Sequence, residues 1–111
     1  MRTKSRRLEL DKKLRDILES EFGKDHVHIY FQPPEGQKLI YPCIVYTKDT
    51  SDHKYADNKV YHFQQAYQIT FMSKDPDNNV VGKIEEAFQY AKYGRNFIAD
   101  HVNHDIIILY Y

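Results

Sequence analysis

Residues 26–48 read HVHIYFQPPEGQKLIYPCIVYTK, and the period inside this stretch decides the fold. Val27, Ile29 and Phe31 alternate with His26, His28 and Tyr30, the two-residue repeat of a strand with one buried face. Gln32-Pro33-Pro34-Glu35-Gly36 ends that strand, because two prolines remove two backbone donors and the glycine permits a turn. A second strand is expected over Leu39–Lys48, carrying Tyr41, Ile44, Val45 and Tyr46. Pro42 lies near its start and predicts an edge position or a bulge there.

Upstream, the period is helical. Leu10, Leu14, Ile17, Leu18 and Phe22 form the apolar stripe of an amphipathic helix over about residues 7–22, and Gly23 supplies its C′ stop. Lys12–Asp16 and Arg15–Glu19 sit at helical pair spacing on the polar face. Downstream, Asp49–Lys59 is polar and reads as a long loop of the functional kind. Val60–Met72 is extended, with Tyr67, Ile69 and Phe71 against Gln68, Thr70 and Met72.

Ser73–Asn79 is a turn, with Asp77, Asn78 or Asn79 as the N-cap of a second helix. Its buried face is Val80, Val81, Ile84, Ala87, Phe88 and Ala91, and Gly94 is its expected end. Asn96–His101 and Asp105–Tyr111 then form a hairpin around Val102–His104. The order α-β-β-β-α-β-β predicts one α+β domain whose antiparallel or mixed sheet carries its helices on one face.

Composition limits the function classes. A length of 111 residues fits one core. Lys plus Arg and Asp plus Glu balance at 16 each, so no general electrostatic argument favours nucleic acid. The balance is uneven: Arg2, Lys4, Arg6 and Arg7 stand without an acid in residues 1–7. Those residues read as a flexible basic arm ahead of a domain over residues 8–111, because cations at a helix N-terminus oppose the dipole. The arm's four cations are the candidates for contact with a DNA backbone. No apolar run is long enough for a membrane span, and the single Cys43 packs as a small hydrophobe.

No catalytic constellation emerges. His26, His28, His101 and His104 could ligate a metal, but solvated strand histidines account for them better and no Cys-x-x-Cys or His-Glu-x-x-His accompanies them. The serines lie in no nucleophile-elbow or Ser-x-x-Lys context. The four glycines are scattered, so there is no phosphate-cradling loop. Neither a metal nor another cofactor is expected. The ten tyrosines suit a protein interface and a sheet about equally.

The order of motifs resembles a known family. Phe31-Gln32-Pro33-Pro34-Glu35-Gly36 leads to Leu39–Tyr46, then Tyr55-Ala56-Asp57-Asn58, Tyr67-Gln68-Ile69-Thr70, Lys74-Asp75-Pro76-Asp77, Asn103-His104-Asp105 and Tyr110-Tyr111. Together, over about residues 8–111, these resemble the tail-completion or tail-terminator proteins of long-tailed bacteriophages and prophages. The resemblance implies a non-enzymatic virion protein of the tail, assembled in the bacterial cytoplasm. Its subunits would form a ring, commonly a hexamer, that caps the tail tube, meets the head connector and passes DNA without reading sequence.

A ring needs two unlike complementary patches per subunit. The exposed elements suited to that role are Pro42, the loop tip at Tyr55, Asp57 and Asn58, and the turn at Asp75 and Asp77. Three alternatives stand beside this reading. They are a neck or head-closure protein of the same assembly, a small metal-dependent enzyme using the histidines, and a nucleic-acid module using the arm and stacking tyrosines.

Overall fold

A computed structural model describes residues 2–49, 65–75 and 77–111. Two helices pack on one face of a five-stranded mixed sheet. The elements run α1 (Arg2–Phe22), a 3-10 turn (Lys24–His26), β1 (Ile29–Phe31), β2 (Cys43–Lys48), β3 (Ala66–Ser73), α2 (Val80–Ala87), β4 (Ala91–Ala99) and β5 (Val102–Tyr110). The sheet order is β1-β2-β3-β5-β4, so the expected α+β architecture is present.

Leu10, Leu14, Ile17 and Leu18 of α1 are buried with Ile44, Tyr46, Tyr67, Ile69, Phe71, Val80, Ile84, Phe88, Ile107 and Leu109 in one cluster. Phe22 stacks on Phe71 with ring centroids 6.0 Å apart. Gly23 ends the helix at φ 92°, a backbone region that side chains with a Cβ rarely adopt. Its amide donates to the Glu19 carbonyl.

The helix begins earlier than its stripe suggests. Residues 2–7, expected as an arm, are its first turns, and nothing in that segment breaks a helix. The dipole cost of the cations is offset by packing. Arg7 lies 4.3 Å from the Phe31 ring centroid and donates to the Tyr46 hydroxyl at 3.1 Å, while Arg6 lies 4.7 Å from the Tyr111 ring. Arg15 pairs with Asp11 rather than Glu19, because the Tyr46 hydroxyl already fixes Asp11 at 2.7 Å. Lys12–Asp16 forms as expected.

Pro42 does not mark an edge. It precedes β2, which is interior: β1 pairs with it in parallel and β3 antiparallel. The Gln32–Pro42 connection therefore does not reverse the chain tightly, as parallel pairing requires a crossing. Its Leu39 packs with Tyr30, Cys43, Val45, Met72 and Val102 on the sheet face away from the helices. Among the described strands β1 and β4 are outermost.

The end of the chain departs most from expectation. α2 stops at Ala87 and Phe88 is extended, because its ring turns into the core edge-on to Tyr111. The tertiary contact overrides the helical period. Gly94 lies in β4, at a bulge between Tyr93 and Arg95. A Cβ there would meet the Ile106 carbonyl oxygen at 3.1 Å, so Gly94→Ala is expected to cost about 1–3 kcal/mol in a urea titration.

The hairpin turn is Asp100-His101, at φ 52° and 65°, not Val102–His104. Positive φ at both central residues suits the twist of the flanking strands. Asp100→Asn with His101→Gly is expected to raise stability by about 0.5–2 kcal/mol, read as a higher thermal midpoint.

Candidate functional site

The expected interaction residues divide into two groups. Tyr55, Asp57 and Asn58 lie outside the described residues. Pro42 and Asp75, far apart in sequence, line one cleft of about 470 Å³ with Phe22, His26, Tyr41, Ser73 and Lys74. Asp77 is tied to its rim, its amide donating to Asp75 Oδ1 at 2.9 Å.

Four chain segments build this cleft because they meet at the same end of the strands. Phe22 closes α1, His26 belongs to the 3-10 turn, Tyr41-Pro42 lead into β2, and Ser73 ends β3 before Lys74 and Asp75. The apolar lining is Phe22, Tyr41 and Pro42, and the polar lining is the exposed His26, Lys74 and Asp75 and the buried Ser73. Such a mixture suits an inserted apolar side chain with polar contacts around it.

Serine, histidine and aspartate all line this cleft, which raises the question of nucleophilic catalysis. The Ser73 hydroxyl accepts the Asp75 amide at 3.0 Å, and no hydrogen bond joins Ser73 to His26. The paired nucleophile and base that such chemistry needs are not assembled in this geometry.

The four histidines are not gathered. His26 and His28 both precede β1, whereas His101 and His104 lie at β5, with β2 and β3 between. His104 stacks on Phe97 at 4.6 Å, and its Nδ1 contacts the Val102 carbonyl at 3.0 Å. Among the described residues no three His, Cys, Asp or Glu side chains are grouped to hold a metal ion.

Of the candidate DNA-contacting cations, Arg2 and Lys4 have side chains outside the described residues. Arg7 is committed to Phe31 and Tyr46. Arg6 Nε is buried without a hydrogen-bond partner among the described residues.

Two features escaped the sequence reading. The first is a polar cluster on β4 and β5: buried Asp105 accepts from Asn96 Nδ2 at 2.8 Å and from the Tyr93 hydroxyl at 3.1 Å. These bonds satisfy a carboxylate that would otherwise be costly to bury. The bulge at Gly94 makes them possible by turning Asn96 toward the helices and Arg95 and Phe97 away. The second is Ile98, 72% exposed on outer strand β4. β4 runs nine residues without proline and pairs with β5 alone among the described strands. A strand edge of that length with no partner among the described strands is a template for another chain.

Compared with known proteins, the chain matches no protein family, no curated protein and no solved structure.

Proposed function

We propose that this chain is a structural subunit that assembles into a ring, and that the ring completes a bacteriophage tail. In this reading the ring caps the tail tube, stops its growth and offers its other surface to the head connector, while DNA passes through without base recognition. It works in the virion tail after assembly in the bacterial cytoplasm, and its chemistry is binding.

The observation that carries the reading is the pair of unlike strands outermost among those described, the short β1 and the long β4, on opposite sides of one sheet. Unlike patches facing opposite ways are what a closed head-to-tail assembly needs. The motif order that resembles tail-completion proteins supplies the specific assembly. A subunit of the neck would use the same two edges, and its partner would differ.

The test is deletion of the gene from the phage or prophage that encodes it. The expected result is heads without tails and free tails of excess length. Free tails of normal length that still join heads would refute the role.

A further inference from the structure

We propose that successive copies join through the sheet itself, β4 of one copy beside β1 of the next, with Ile98 entering the neighbour's cleft at Phe22, His26 and Pro42. This rests on the ring reading above and names the contact that would build it.

In the sheet register, Ile98 pairs with Asn103 and Asn103 with Ser73. Pro42 immediately precedes Cys43, the partner of Met72, so it continues the same row. Val27, just ahead of β1, ends it, with His26 of the 3-10 turn next to it in sequence. One row across the sheet thus starts at the most exposed large hydrophobe of the described residues and finishes at an apolar-walled cleft.

Strand direction agrees. β3 and β4 run one way, and β1, β2 and β5 run the other. Setting β4 beside β1 of the next copy therefore makes an antiparallel pair with all helices on one face. Neighbouring strands lie about 4.8 Å apart, which brings Ile98 to the His26 side of the next copy's cleft.

The opposite face also matches. Arg95 shares a row with Ile106, Thr70, Val45 and Tyr30, so it would lie against Tyr30 of the next copy, a cation beside an aromatic ring. Phe97 would lie beside His28. A two-fold contact of β4 with β4 is disfavoured by charge: Ala91–Ala99 contains Lys92 and Arg95 and no acid, and like charges across paired strands repel.

The contact has two different halves, so it can be tested by complementation. Ile98→Asp removes the inserted side chain, and His26→Glu with Lys74→Glu makes the cleft mouth acidic. All three positions are exposed, and circular dichroism checks that each variant stays folded. Sedimentation velocity of the wild type should show a species larger than a dimer. Each variant alone should be monomeric, with association weakened about 30-fold or more.

Mixed together, the two variants should form a 1:1 dimer and nothing larger, because one intact cleft and one intact Ile98 remain. An oligomer that survives Ile98→Asp, or a mixture that stays monomeric, overturns this contact and leaves the ring reading standing. A wild type that is monomeric at every concentration removes the ring reading and this contact with it.

Discussion

Tyr46→Ala is expected to destabilise the domain by about 3–5 kcal/mol, enough to leave much of it unfolded at ordinary temperature. Tyr46 is fully buried in the middle of the sheet. Its ring packs against Phe31 at 4.9 Å and Tyr67 at 5.9 Å, so truncation opens a cavity that several elements share. Its hydroxyl donates to Asp11 and accepts from Arg7, fixing the first turns of α1 over β2. Tyr46→Phe keeps the ring and loses only those bonds. Asp11 keeps Arg15 and Arg7 keeps the Phe31 ring, so the expected loss is about 0.5–1.5 kcal/mol. Chemical denaturation of the two variants separates packing from hydrogen bonding, and equal losses would contradict this division.

Alkali should destabilise the protein sooner than its neutral isoelectric point suggests. Burial pushes the Cys43 thiol up to about 12. The phenols of Tyr46 and Tyr67 are also raised, by burial first, with the hydrogen bond to Asp11 adding to the effect at Tyr46 and the Arg7 cation opposing it at both. The unfolded chain releases these protons near the ordinary values, about 8.5 for the thiol and 10 for the phenols, while the folded chain keeps them. The unfolded state then binds fewer protons, so stability present below pH 8.5 or so is lost as pH rises.

Each group contributes up to about 1.4 kcal/mol per pH unit above its own ordinary value. The urea midpoint should therefore begin to fall above about pH 8.5 and fall more steeply above about pH 10. Cys43→Ala should remove the early part of the decline while lowering the starting value through lost packing. A midpoint that stays level to about pH 10.5 would contradict this picture.

Much of the fold was legible because its signals are local. The stripe from Leu10 to Phe22, the alternation of Tyr67, Ile69 and Phe71 and the positive φ at Gly23 need only neighbours in sequence, and all three appear as read. The differences arise where distant residues decide. Arg6 and Arg7 are unfavourable in a helix start until the Tyr111 and Phe31 rings lie beneath them. The helical spacing from Val80 to Ala91 is interrupted because Phe88 has a better place against Tyr111. Gly94 resembles a helix stop in sequence, but only the close approach of the Ile106 carbonyl reveals it as a bulge.

The cleft was only half legible for the same reason. Pro42 and Asp75 drew attention as turn residues. Phe22, His26 and Ser73 join them through strand order, which leaves no spacing to recognise. Ile98 was visible as a strand residue, but its exposure follows from β4 lying outermost, a consequence of the β3-β5-β4 pairing. Interior pairing of β2 likewise moved the expected edge from Pro42 to β1 and β4.

Self-association into a closed ring is the central claim, and native mass spectrometry of the purified wild-type protein over a broad concentration range tests it most directly. The account predicts one closed species of fixed subunit number, with no dimer of comparable abundance. Monomer at every concentration, or a ladder of open oligomers that never closes, would contradict it.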